Sequence, residues 1–533
     1  MDPLLEQGKL PNLRKLIERG VRGPLRSTLP PVTAPAWSTF MTGVNPGGHG
    51  IFQWRTYDPT TYTCVNENVV TSAAIAGTTF WDYLGQAGYR VAAITVPITY
   101  PTWPVNGYLL SGYPCPDTKR NFTYPESWGE TLPQSYNFSA DYYLNASEEE
   151  ILVNGLDMLD KRTEMVLDLA RSDPLDALVL VLGEIDRAQH DFWQYRDSRF
   201  PQYHGKDAVR FREAIDWHYI VSDIQVGRLL ELANADTTVI IMSDHGGGPH
   251  PTRNFYPNAW LRERGYLTQK HTHPSLKERL VRRGIATARR LIPYEERLRR
   301  MLPARFVHAA RTYSLDITNV DWSRTVAYHF PMYHPAAGIE INVRGRQPEG
   351  IVEPGTEFER VREEVIQALR EARDPQTGES IATEVYRSEE LYHGKFAHIA
   401  PDIVYLTGPG HYAEPGLPEA WVMDAPLDKM TEYFGVHTLD GIFIAAGPGV
   451  RSGVNLDSAS IADIAPTVLY AMSQPVPEHM DGHVLTDIYT SEHLTAHPVQ
   501  RIEAALEVQS VEAHTDQEEE EMRDKLRGMG YIS

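Results

Sequence analysis

Residues 177–193 read ALVLVLGEIDRAQHDFW, an apolar run that gives way within a few residues to a polar helical pattern. The run shows no polar alternation, so it predicts a buried strand of the kind found in parallel sheets covered by helices. Beyond it, Asp186 and His190 stand at positions i and i+4. On a helix those side chains share a face, which places a carboxylate and an imidazole together just past the strand. Such a pair can hold a metal ion or be an ordinary exposed helix pair.

Similar runs recur along the chain: VAAITV from Val91, TVIIMS from Thr238, GIEINV from Gly338, DIVYL from Asp402 and GIFIAA from Gly441. Amphipathic helical patterns such as 148–171 and 211–233 lie between several of them. The alternation predicts an α/β fold with a mainly parallel central sheet and helices on both faces. We divide the chain into a discontinuous core, 1–255 with 320–490, a helical insert over 256–319 and a helical tail over 491–533. A proline- and tyrosine-rich stretch, about 97–143, reads as a further addition.

Composition narrows the function. Across 533 residues the formal net charge is −21, which argues against a nucleic-acid polymer as partner. Cys64 and Cys115 are the only cysteines, so a cysteine metal site or disulfide framework is excluded and a reducing compartment is expected. No run approaches the roughly 20 apolar residues of a membrane span, and the first residues lack a signal-peptide core, so the expectation is a soluble, cytoplasmic protein. Against the overall charge, Lys270–Arg311 carries 12 Lys and Arg with 3 Glu. That segment reads as a solvated helical face, a lid steering anionic substrate, or a surface for anionic lipid.

Two further stretches carry chemistry of the same kind. In TVIIMSDHGGGPH, 238–250, a strand ends in Asp244 and His245 before glycines that permit a tight turn. In YFGVHTLDGIFIAAGPG, 433–449, His437 comes just ahead of a strand. Alone, Asp244 is a plausible turn residue and His437 is one of 20 histidines. Together they put carboxylate and imidazole pairs at the carboxyl ends of predicted strands, where open α/β sheets place ligands. Oxygen and nitrogen donors without thiolate suit zinc or manganese. In PPVTAPAWSTFMTGVNPGGHG, 30–50, Thr33 reads as a helix cap with Pro35 at the first helical position. A hydroxyl at a helix start also faces unpaired N–H groups, a phosphate site where an activated threonine would be a nucleophile.

PPVTAPAW, TGVNPGGHGI, the Asp186 and His190 spacing, SDHG and the late GVH together resemble the alkaline phosphatase superfamily. The branch is that of type I phosphodiesterases and nucleotide pyrophosphatases, with its predicted phosphohydrolase and phosphomutase relatives, over about Leu10 to Gly482. The resemblance implies two divalent ions, usually zinc. Asp186, His190 and His437 would bind one; Asp244 and His245 would bind the other, beside Thr33 as nucleophile. It further implies a phosphothreonine intermediate, hydrolysis with net retention at phosphorus, and a phosphorylated small molecule as substrate. A phosphomutase and a non-catalytic or truncated member lacking the first metal aspartate are the alternatives; the sequence argues against a sulfatase, because neither cysteine stands in a C-x-P-x-R context.

The sequence departs from the family pattern in two places. After HGI it reads FQWR, so Gln53 or Arg55 would replace the expected phosphate-binding asparagine. The family's first metal aspartate closes an opening strand that should precede LLEQGKLPNL, and Asp2, followed by Pro3 and a helical pattern, is not that ligand. The expectation is a natural start upstream of Met1, with an apolar strand ending in aspartate and glycine.

Overall fold

The computed structural model describes residues 1–533 except 76, 117–119, 134–145, 271–318, 431–433, 505–513, 530, 531 and 533. The basic segment expected to steer substrate therefore lies, apart from Lys270, outside the described residues. Each quoted apolar run forms a strand. In chain order the strands used below are β1 Val21–Arg26, β2 Val91–Val96, β3 Gly107–Ser111, β4 Ala177–Leu180, β5 Val239–Met242, β6 Gly246–Pro249 and β7 Arg253–Phe255. They continue with β8 Ala327–Phe330, β9 Ala336–Ile341, β10 Ala382–Arg387, β11 Ile403–Thr407, β12 His411–Ala413, β13 Val422–Asp424, β14 Gly435–Thr438 and β15 Asp440–Ala446. The helices are α1 Pro11–Glu18, α2 Thr33–Thr42, α3 Glu148–Ser172, α4 Glu184–Arg196, α5 Ala214–Leu229, α6 Thr356–Glu371 and α7 Asp516–Gly528.

Local chemistry sets the helix ends. Ser147 caps α3 in a reciprocal box with Glu150, three glutamates fill its first turn and Arg171 stands in its last. Thr515 and Glu518 do the same for α7. At the end of α2, Gly43 adopts φ +69°, the left-handed turn a side chain would strain.

The expectation of one mainly parallel sheet needs correction. β1 and β5 both pair antiparallel with β15, and only the short segments Val454–Asn455 and Ala459–Ser460 lie parallel to β1. A separate sheet joins β3, β2 and β4 in parallel. The antiparallel member arises because β15 returns directly from β14, which forms its own ribbon with β6. β4 and β5 were expected to be fully buried, yet both are half-buried along their length. Each has one ladder partner among the described residues, β2 for β4 and β15 for β5, so each is an edge. Both edges run toward the same place: Asp186 follows β4 and Asp244 follows β5. Helix α5 packs against α3, α4 and α1, and its Tyr219 lies against two hydrophobic clusters, so it ties the two sheets together.

A second antiparallel sheet, β8-β9-β11-β10, is covered by α6 and has its own core, including Tyr405, Phe330 and Trp260. The larger cluster packs β1 and β2 against α2 and α3 and takes in Met522 and Leu526 of α7. Both cysteines are buried, and no disulfide joins them. Among the described residues, no helix is long and apolar enough to cross a membrane.

Candidate metal centre

Asp186 and His190 project from the first turns of α4, as their spacing predicts. Under that helix start, Arg162 of α3 donates to both carboxylate oxygens of Glu184, at 2.6 and 2.8 Å, and both side chains are buried. His437 arrives from β14, opposite Gly247 of β6, so a two-stranded ribbon continuing the second edge meets the helix of the first.

The three donors converge. His190 Nε2 and His437 Nε2 stand 3.1 Å apart, and Asp186 Oδ1 lies 3.4 Å from the first and 3.5 Å from the second. A tetrahedral ion with bonds of about 2.0–2.2 Å sets its donors about 3.3–3.6 Å apart. The outer ring nitrogens decide what the inner ones present. His190 Nδ1 donates to the Gly435 carbonyl and His437 Nδ1 to the Pro31 carbonyl, each at 2.8 Å. A carbonyl oxygen only accepts, so both Nδ1 atoms carry the proton and both Nε2 atoms offer lone pairs. Two lone pairs and a carboxylate oxygen repel one another at these distances, and a cation among them turns repulsion into ligation. The donor set thus fits a divalent ion.

Asp244 and His245 lie beside this triangle. The His245 ring stacks on His437 with centroids 3.6 Å apart, and its Nε2 is 3.2 Å from Asp244 Oδ2. His245 Nδ1 donates to the Gly246 carbonyl at 3.1 Å, so here too a lone pair faces a carboxylate. Ser27, just past β1, donates to the Asp244 carbonyl at 2.5 Å.

Electrostatics mark the cluster as short of positive charge. Burial works to raise the Asp186 carboxyl, but His190 and His437 hold it well below the usual range. Burial, with the Asp186 charge, pushes Asp244 up to about 7. Burial lowers His245, and burial together with His245 pulls His437 down to about 4. His190 moves upward because Asp186 outweighs burial.

Thr33 is placed differently from its sequence reading. It is the first residue of α2 rather than its cap; Val32, extended and without a side-chain cap bond, holds that position, and Pro35 falls third. The Val32 carbonyl already accepts from the Ala36 N–H at 3.1 Å, which starts the helix one residue early. Thr33 Oγ1 is thereby released from capping and makes no hydrogen bond to a described residue. It stands two residues from the Pro31 carbonyl that fixes His437. Gln53 is buried and Arg55 opens a short strand, Arg55–Tyr57, where its charge acts on Tyr333. Asp2 pairs with Arg22 at 3.1 Å on the surface, in keeping with its exclusion as a ligand.

Sequence reasoning missed a group of rings at the edge of this site. His250 and His334 both stack on Tyr412, with centroids 4.7 and 5.1 Å away. No spacing announces them, since they come from three separated segments.

A family model for type I phosphodiesterase / nucleotide pyrophosphatase matches residues 2–420, a span that holds Thr33, Asp186, His190, Asp244 and His245 and stops before His437. Among solved structures, the chain resembles murine ectonucleotide pyrophosphatase / phosphodiesterase 5, in an inactive form in complex with AMP, at 15% identity and TM-score 0.46, covering 90% of this chain and 94% of that one. The human counterpart matches at 15% identity and TM-score 0.46, over 90% and 95%. Phosphonoacetate hydrolase from Sinorhizobium meliloti 1021, in complex with phosphonoacetate, matches at 14% identity and TM-score 0.49, over 89% and 91%. A search of the curated proteins found no match. The span of the family match makes the assignment: this chain belongs to the type I phosphodiesterase / nucleotide pyrophosphatase family.

Proposed function

We propose that the chain hydrolyses phosphoesters of small molecules at a centre of two divalent ions, with Thr33 as nucleophile. The observation that carries the reading is the triangle of Asp186 Oδ1, His190 Nε2 and His437 Nε2, in which the histidine Nδ1 atoms are tied outward so that the three donor atoms face one point. Asp186, His190 and His437 would hold one ion; Asp244 and His245, with the Thr33 hydroxyl beside them, would hold the other. Bound there, zinc or manganese would offset the negative charge that builds on the attacking and leaving oxygens.

The chain's own groups supply the rest. Pro35 has no N–H and that of Ala36 is taken by Val32, so the N–H groups of Thr33 and Ala34 remain for phosphoryl oxygens at the positive end of α2. Thr33 Oγ1 forms the new bond to phosphorus as the bond to the leaving oxygen breaks, which gives a phosphothreonine. Water then attacks from the vacated side, and two in-line displacements leave the configuration at phosphorus retained.

The test is Thr33→Ala with metal content and turnover of an aryl phosphodiester measured together. Turnover should fall at least ~10³-fold while both ions stay bound, because the hydroxyl attacks and the other side chains ligate. Undiminished turnover would mean that water attacks phosphorus directly. A panel of monoesters and diesters with defined metals separates the two ester classes.

A further inference from the structure

The loop that delivers Thr33 is stiff and has few handles. Between Leu29 and Thr33 stand only Pro30, Pro31 and Val32. The two prolines fix their own φ and bring no N–H, so at those positions the backbone can be held only through its carbonyls. The Pro30 carbonyl is taken within the loop, by Thr28 Oγ1 at 2.8 Å and by the Val32 N–H at 3.0 Å. The Pro31 carbonyl accepts from His437 of the metal triangle. The Leu29 carbonyl accepts at 2.6 Å from the hydroxyl of Tyr392, which belongs to a different part of the molecule.

Tyr392 follows the short helix Ser388–Leu391, which begins where β10 of the second antiparallel sheet ends. Its side chain is buried, and its ring stands edge-on to Phe52 with centroids 5.1 Å apart. Burial raises the phenol above its ordinary range, so the hydroxyl keeps its proton and donates. Leu29 is gripped by its side chain as well, which packs with Ala336 of β9 and Leu406 of β11. The next residue reaches the far end of α2. The His393 N–H donates to the Asn45 side chain at 3.3 Å and the His393 carbonyl accepts from it at 3.0 Å, three residues past the helix. Adjacent residues of one segment therefore hold the entrance and the exit of the helix that carries Thr33.

A tie between two sheets needs no particular target, yet this one lands four residues ahead of the proposed nucleophile, on a stretch without slack. Moving the Leu29 carbonyl moves Val32, whose own carbonyl starts α2, and Thr33 with it. A misplacement of about 1 Å at a reacting atom can cost on the order of 10²-fold in rate. We propose that Tyr392 is a positioning residue: its hydroxyl, through the Leu29 carbonyl, fixes where Thr33 Oγ1 stands relative to the metal triangle. The proposal rests on the phosphoester reading above and adds to it a residue from outside the ligand set.

Tyr392→Phe removes one oxygen and keeps the ring against Phe52. Turnover of an aryl phosphodiester and amide hydrogen exchange are measured on the same full-length protein in saturating zinc. The kcat should fall at least ~10-fold with KM within about threefold. The Val32 and Ala36 amides, bonded to the Pro30 and Val32 carbonyls, should exchange at least ~10-fold faster while those of α3 are unchanged. Tyr386→Phe is the control: its ring packs on the same Leu29 cluster, but its hydroxyl donates to Glu384, so both readouts should stay within about twofold of wild type. A kcat for Tyr392→Phe within about twofold of wild type, or an equal fall in Tyr386→Phe, would overturn the positioning role. Faster exchange spread evenly over α2 and α3 would overturn it too, since that marks a tie serving stability alone. A wild type that turns over no phosphoester would sink the hydrolase reading, while faster exchange confined to Val32 and Ala36 would still uphold the hold of Tyr392 on α2.

Discussion

Two aspartates of this chain each meet a histidine Nε2, and they are opposite in kind. Asp374 lies 3.1 Å from His411, and Arg253 closes on its two oxygens with a guanidinium fork at 2.8 and 3.0 Å. Asp186 lies 3.4 Å from His190, and where Asp374 has an arginine it has a second imidazole. The Asp374 side chain is 0% exposed and Asp186 is 31% exposed. One carboxylate carries its own cation and is sealed; the other has neutral donors around it and one open side. A carboxylate set among imidazoles and open on one side can take counter-charge from a ligand, whereas one closed by a guanidinium cannot. On the proposed reading the first cluster serves stability and the second serves an ion.

The largest effects should break that contrast if it is wrong. Asp186→Asn or His190→Ala should abolish binding of one ion and lower turnover at least ~10³-fold, with little change in the stability of the metal-free protein. Asp374→Asn should instead cost about 1.5–3 kcal/mol, because it leaves Arg253 with the exposed Asp424 as its remaining anionic partner, while the folded fraction keeps its metal. Metal analysis and denaturant unfolding on the same samples check both. Equal destabilisation by the two aspartate variants would make Asp186 a structural ion-pair residue.

The contrast was half visible in the sequence. The i and i+4 spacing of Asp186 and His190 is local, and the strand ahead of each ligand pair is a simple apolar run, so four of the five proposed metal-binding side chains were legible from their own neighbourhoods. His437 needed the family pattern, because nothing near it marks it among 20 histidines. Strand pairing was not legible: β15 joins β1 across more than four hundred positions, and its antiparallel direction follows from the β6 and β14 ribbon rather than from composition. Thr33 was placed one position out because the Val32 carbonyl, not a side chain, opens the helix. Gln53 and Arg55 came from a motif position; in the fold Gln53 is buried and Arg55 opens a short strand.

Acid should separate the two clusters in order. Burial opposes the charge of His190, but Asp186 raises it above its ordinary value in the metal-free protein. Its proton therefore competes with the ion near neutral pH, and ion affinity should fall by up to about tenfold per pH unit as pH drops from 8 to 6. The protonated His190 and Asp186 pair stabilises the metal-free fold fully below the unfolded value of about 6.5, and that contribution is lost as pH rises through the higher folded value. Asp374 has the other sign: burial opposes its charge, yet Arg253 holds it below the carboxylate range. Its contribution is full above about 3.9 and disappears only as pH falls through the lowered folded value. Metal release followed by a chromogenic chelator should thus precede loss of tertiary structure by circular dichroism. Simultaneous loss of metal and fold near pH 6 would place the two clusters in one cooperative unit.

The smallest effect sharpens the picture within the metal centre itself. Ser27 contributes no ligand; it donates to the backbone carbonyl of Asp244 at 2.5 Å and so steadies the turn that carries Asp244 and His245. The histidines of the first triangle are held differently, by the carbonyls of Gly435 and Pro31. Ser27→Ala removes one hydrogen bond, worth about 1 kcal/mol, which is roughly fivefold in an equilibrium constant. If the two ion sites are separately supported, the ion proposed for Asp244 and His245 should bind about fivefold more weakly, and the one on Asp186, His190 and His437 should be unchanged within twofold. Stepwise metal titration by calorimetry resolves the two. An equal weakening of both steps would mean that the stacked rings of His245 and His437 transmit the loss, and that the five side chains form a single coupled site rather than two neighbouring ones.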